Sequence, residues 1–323
     1  MKQTAAQCNL DELLAEAERD GCALLVRDEV LRGVVRRRID EGTLVRPFPG
    51  MVMRASLWND LEQRPRVRWR YVQNAYRAAH ENCSFCSFSA ALAYGLWVPK
   101  RQLGKIHLAV PARSQSYRSE AILRHCCPES DLVEYEGVRL TSLYRTVLDC
   151  SLQGSFSDGL AIADSALRYM DLDHDQYKNY VKIATPGRPG AARARLVAAC
   201  ACGDAENAGE SIVRARIIEL GYACPTALQV EFADIVDGGV IRVDIYYRFD
   251  DGRELIIEVD GMGKYGEGSL ASKATKKQLV YERQRESHLN ALGIPVMRVL
   301  FSRVFEAGYL EGLLEAYGVP RRP

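Results

Sequence analysis

The tightest constraint on this chain lies between residues 227 and 300. Three β-rich runs, "ALQVEFADI", "VIRVDIYYRF" and "ELIIEVDG", lead into a long helical pattern and a fourth apolar run, "VMRVLF". Runs of β-branched and aromatic residues bounded by Gly, Asp and Pro mark strands. Asp250, Asp251 and Gly252 separate the second run from the third, a three-residue connection with glycine where such hairpins need a left-handed residue. Ahead of the strands, "ENAGESIVRARIIELG" predicts a helix over about 205–220, with Ile212, Ala215, Ile218 and Leu220 near one face and Gly221 as its stop. The order helix, three strands, helix, strand, with a short helix near 304–316, belongs to a layered α/β domain.

The hairpin fixes a register. If Phe249 and Arg253 flank its loop, paired positions add to 502, which sets Asp244 opposite Glu258. Side chains alternate along a strand, so Glu258 and Asp260 share one face and Ile257 and Val259 the other. Three carboxylates converge at one end, where like charges would destabilise the sheet unless a cation lay among them. A hard divalent ion, Mg²⁺ or Mn²⁺, suits such oxygens and retains waters for chemistry. The alternative is surface salt bridging to Lys264, Arg242 or Arg283.

Upstream, "LDELLAEAER" and "EVLRGVVRRRIDEG" carry helical stripes, the second at Val30, Leu31, Val34, Val35 and Ile39. "TLVRPFPGMVMR" then reads as strand, Pro-Gly turn, strand. Helix, helix and hairpin outline a winged helix over 1–60. Arg32, Arg36, Arg37 and Arg38 on its second helix and Arg46 on the hairpin are candidates for DNA contact, because guanidinium forks donate to both phosphates and bases. A solvated helix face is the alternative, since Asp40 and Glu41 follow at once. Residues 66–98 read as helical, and short strands at "KIHLAV", "AILRHC" and "VRLTS" with the helix "LYRTVLDCSL" complete an α+β middle domain over 61–185. Helices follow near 157–170 and 174–183, and "TPGRPG" marks a boundary to the last domain, 186–323.

Composition narrows the function classes. Of 323 residues, 47% are hydrophobic, enough for sizeable cores, and 43 basic against 42 acidic residues leave a net charge of +1, so any nucleic-acid surface must be regional. No apolar stretch reaches the roughly 18 to 20 residues that span a bilayer, and the polar N-terminus predicts a cytoplasmic chain. The ten cysteines lie mostly in apolar segments and read as reduced, buried thiols. His80, Cys83 and Cys86 with "HCC" at 125–127 are spaced too widely for a strong zinc motif. His107 reads as a satisfied core histidine and His288 as a packing or surface residue.

"AENAGES", "LQVEF", "VDIYY", "IEVDGMGKY" and "YERQRESHLNALGIPVMRV" together resemble very-short-patch-repair endonucleases of the PD-(D/E)XK superfamily, over about residues 203–305. "GTLVRPFPGMVM", "SAALAYGLW", "IHLAVP" and "GVRLTSLYRTVLDC" resemble the AbiEi-type antitoxin family. The first resemblance implies Mg²⁺-dependent phosphodiester hydrolysis, with Asp244 and Glu258 on the metal and Glu210 approaching from the leading helix. It also implies lysine two residues after Glu258, where this chain has Asp260; Lys264 is the substitute cation nearest in sequence, and Asp260 would help position water or ion. The second implies promoter binding by the winged helix and a partner toxin or defence protein. A catalytically inactive, antitoxin-like regulator is the alternative function.

Overall fold

Leucines and valines of the first two helices build the chain's first core. The structure is a computed structural model that describes residues 5–111, 119–234, 236, 238–261, 287–289 and 291–322. It is a mixed α/β protein that divides into two units, Met1–Cys150 and Ser151–Pro323. Among the described residues no helix is long and apolar enough to cross a membrane.

In the first unit, α1 (Ala5–Arg19) and α2 (Glu29–Asp40) pack Leu10, Leu14, Leu31 and Val35 against Leu44 and Val52. Asp28 caps α2 by accepting from the Val30 N–H. Val30, expected in the buried stripe, is 71% exposed: its neighbour Leu31 takes the inward position in the first turn, and consecutive helix positions lie about 100° apart. β1 (Leu24–Leu25), β2 (Leu44–Phe48) and β3 (Met51–Arg54) form a sheet in the order β1-β3-β2. The β2–β3 register slips between Val45 and Phe48, where Pro47 has no N–H for the ladder.

Beyond α3 (Ala55–Asp60), residues expected to form helix up to 98 are divided: α4 (Pro65–Ala79), β4 (Ser84–Phe85) and α5 (Ser87–Ala93). Pairing of Phe85 with Leu108 on one side and Leu140 on the other overrides the helical spacing. After α6 (Lys100–Leu103), a five-stranded sheet β6-β5-β4-β8-β7 takes in β5 (Ile106–Val110), β6 (Ile122–Cys126), β7 (Leu132–Tyr135) and β8 (Val138–Thr141), and α7 (Leu143–Gln153) follows.

The second unit begins with α8 (Phe156–Tyr169), α9 (His174–Ala184), α10 (Ala191–Cys200) and α11 (Ala208–Glu219). Residues 186–190, where the sequence suggests a boundary, form the turn between α9 and α10, and α10 packs on both α8 and α9. A Cβ on Gly190 would stand 2.7 Å from the Leu152 carbonyl, and its φ of 82° already favours glycine. The sheet runs β12-β11-β10-β9, with β9 (Ala227–Ala233), β10 (Val240–Arg248) and β11 (Glu254–Asp260) antiparallel and β12 (Val296–Leu300) parallel to β11. α12 (Tyr309–Ala316) closes the unit, starting five residues later than expected.

α11 is buried nearly all round because it lies between α8 and the sheet. Arg214 on α11 bonds Asp164 on α8 at 2.7 and 3.0 Å, both almost wholly enclosed.

Candidate functional site

The β10–β11 hairpin pairs Arg248 with Glu254 through Ile245 with Ile257, every pair adding to 502 as the loop requires. One step further, Asp244 bonds across the hairpin: the Val259 N–H donates to Asp244 Oδ2 at 2.8 Å. The carboxylate of β10 thus reaches the segment of β11 that carries Glu258, itself only 7% exposed. On the other edge of β11, the parallel register sets Glu258 level with Arg298 and Asp260 level with Leu300. Arg298 Nη1 donates to Asp260 Oδ1 and Oδ2 at 3.3 and 3.2 Å. Asp260, expected beside an ion or water, therefore holds a guanidinium.

Glu210 joins from the first turn of α11. Asn207 caps that helix by accepting the N–H groups of Gly209 and Glu210. The Glu210 carboxylate accepts from the Glu206 N–H at 2.8 Å, Asn207 Nδ2 at 2.6 Å and Gln229 Nε2 at 2.9 Å. With 1% of its surface exposed, its carboxyl is pushed up to about 7. Burial is the main cause; the Glu206 N–H and the Gln229 amide pull it back, and the Asp244 charge adds to the rise. That coupling puts Glu210 and Asp244 within electrostatic reach.

Gln229 sits where the β9–β10 register skips from Val243–Val230 to Ile245–Leu228, opposite Asp244, with a φ of 53°. A non-glycine residue in the left-handed region carries strain, which persists where surrounding structure fixes it. Here the hydrogen bond that the Gln229 amide donates to Glu210 does so.

The donors fit a hard cation. Asp244 and Glu258 offer carboxylate oxygens from adjacent strands, and Mg²⁺ binds through one or two carboxylates while keeping several waters. Among the described residues no group of three or more His, Cys, Asp or Glu is arranged as a ready metal cage, a denser arrangement than Mg²⁺ needs. Arg242 bonds Glu206 at 2.7 Å. Lys264 and Arg283 lie outside the described residues. The structure thus links Asp244 to β11, sets Glu258 and Asp260 on that strand and Glu210 within electrostatic reach of Asp244, and adds Gln229 and Arg298, which sequence reading passed over. Their signals were a lone amide in "LQV" and a lone charge in "VMRVL". His288 bonds Asp234 at 2.8 Å, tying the residues after β9 to the helical stretch 287–289.

In the first unit the arginines divide. Arg36 and Arg46 are exposed, the latter where β2 bulges. Arg32 reaches Glu29 at 3.3 Å and Arg37 reaches Glu41 at 3.7 Å, both in exposed pairs that solvent weakens. Arg38 is different: it is 17% exposed and bonds Asp11 of α1 at 2.5 Å, so it fastens the two helices together. Arg54 likewise pairs with Glu18.

Of the ten thiols only Cys86, Cys127 and Cys150 are buried; Cys8, Cys126 and Cys224 are exposed, Cys126 on the outer strand of its sheet. His107 stacks on His125 with Nδ1 and Nε2 3.0 Å apart, while its other nitrogen has no partner among the described residues. Burial first, then the His125 and Lys105 charges, push its imidazole down to about 3, so it stays neutral. No family model matches the chain, and no curated protein matches it closely.

Proposed function

We propose that the chain is a DNA-binding protein whose second unit is a Mg²⁺- or Mn²⁺-dependent, endonuclease-like phosphodiester hydrolase. The observation that carries this reading is Asp244 bonded across the hairpin to the Val259 N–H, next to Glu258 on β11 and within electrostatic reach of Glu210. Asp244 and Glu258 would hold the ion, which when bound supplies Lewis acidity at the scissile phosphate. Glu210 orders the strained Gln229 and keeps α11 against the site. The helix order of the PD-(D/E)XK superfamily, α11 then β9 to β11, supports the same reading.

The first unit supports winged-helix binding: α1, α2 and the β2–β3 hairpin run in that order, with Arg32, Arg36, Arg37 and Arg46 directed to solvent. Such side chains position a protein on phosphates and read bases where they reach a groove. The likenesses to AbiEi-type antitoxins and to very-short-patch-repair endonucleases favour toxin–antitoxin, phage-defence or DNA-repair roles in the cytoplasm, with a toxin or defence protein as a second partner.

Calorimetric titration of Mn²⁺ into the wild type and Asp244→Ala, beside plasmid cleavage, tests the site. Saturable heat and nicking in the wild type, both lost in the variant, are expected; a wild type with neither sinks the hydrolase. One observation favours a second reading, an inactive regulator that binds its promoter: Asp260 occupies the usual lysine position and is held by Arg298. In that case DNA binding survives alanine at Asp244 and Glu258, and no cleavage accompanies it.

A further inference from the structure

On the hydrolase reading, a phosphodiester would approach beside Asp244, Glu258 and Asp260, on neighbouring strands, and Glu210, which is coupled to Asp244. A backbone phosphate meets repulsion there unless fixed positive charge accompanies any bound ion. Among the described residues the cation bonded to one of these four is Arg298, the single charged residue of β12.

We propose that Arg298, oriented by Asp260, is the phosphate-binding cation of this site, an inference that rests on the hydrolase reading above. The parallel register sets Arg298 level with Glu258, so the two side chains leave the same sheet face one strand apart, about 4.8 Å. Its bonds to Asp260 use only Nη1, whereas a guanidinium carries five N–H donors in a planar fork suited to phosphate. The side chain is 37% exposed and Asp260 26%, so the cation is accessible. An ion pair that open adds little to stability, which leaves recognition as the better account of a charge in an otherwise apolar strand.

Asp260 is a positioning residue. Arginine stays protonated at any ordinary pH, so Arg298 stabilises negative charge and moves no proton, unlike a lysine in the equivalent role. The pair thus supplies from the neighbouring strand the charge that would otherwise stand two residues after Glu258.

The test uses the full chain and a fluorescein-labelled 20-base-pair duplex, with Ca²⁺ in place of Mg²⁺ and affinity read by anisotropy across a salt series. One lost phosphate contact should reduce the slope of log affinity against log salt by about 0.9. Arg298→Ala should show that change and about tenfold weaker binding, equally for unrelated sequences. Arg298→Lys should keep the slope. Arg298→Met, which retains the apolar stem, serves if the alanine variant melts early. Wild-type slope and affinity in both neutral variants overturn the role of Arg298 and leave the hydrolase reading standing. A wild type that neither binds duplex nor cleaves it removes both.

Discussion

At the scale of the residue, Glu210 is the group whose protonation the fold alters most usefully. An unfolded glutamate titrates near 4.5, and in the folded chain this carboxyl is raised to about 7, chiefly by burial. Its contribution to stability is therefore fully present below about pH 4.5 and is lost as pH rises through about 7, because folding then holds a charge that water would solvate better. A shift of that size corresponds to about 3 kcal/mol. Glu210→Gln does not titrate. Urea unfolding with EDTA present should show the stability difference moving in favour of the variant by up to about 3 kcal/mol between pH 4 and pH 9. A difference that stays flat across that range would mean an ordinary, solvated carboxyl. Asp244 and Glu258 were legible in the sequence because a strand alternates with period two and the hairpin loop counts the register. Gln229 and Arg298 were not, because each is defined by a partner on another element, Arg298 by an aspartate 38 positions away.

At the scale of the element, α11 is the part that delivers Glu210, and α8 is what holds it. Arg214 stands one turn after Glu210 and bonds Asp164 inside the α8–α11 contact. Removing one partner of a buried pair leaves an uncompensated charge and costs about 3–5 kcal/mol, whereas replacing both by apolar residues often costs little. Arg214→Ala should lower stability by that amount in urea unfolding, and Arg214→Met with Asp164→Leu should recover most of it. Loss of less than about 0.5 kcal/mol in the single variant would show that water reaches the pair. The four strands were readable because each is an apolar run of strand length. The surroundings of α11 were not: a one-faced stripe was expected, but α8 covers the other side, and only the tertiary packing makes a helix with so little sidedness stable. The 66–98 stretch failed for the reverse reason, since two residues of Phe85's strand are too few for any periodicity to register.

At the scale of the whole molecule, a net charge of +1 gives no overall attraction to DNA, so any nucleic-acid surface must be regional. Sequence reading located the arginines but not their division of labour. Arg38 and Arg36 are two residues apart on α2, which turns them to different sides, and only the helix beside Asp11 decides which becomes structural. The Pro/Gly stretch at 186–190 misled for a similar reason: tight turns and linkers call for the same residues, and the difference lies in whether the flanking helices pack together. If the first unit supplies affinity and the second supplies chemistry, the two should separate by substitution, since each has its own core and residues. Arg36→Ala with Arg37→Ala should weaken duplex binding and lower the salt slope by up to about 2, one phosphate for each arginine, while leaving calorimetric Mn²⁺ binding intact. Asp244→Ala with Glu258→Ala should do the opposite, erasing the cation heat and preserving the slope. If the arginine variant keeps wild-type slope and affinity, the exposed face of α2 is ordinary solvated surface, and DNA recognition has to be sought in the second unit alone.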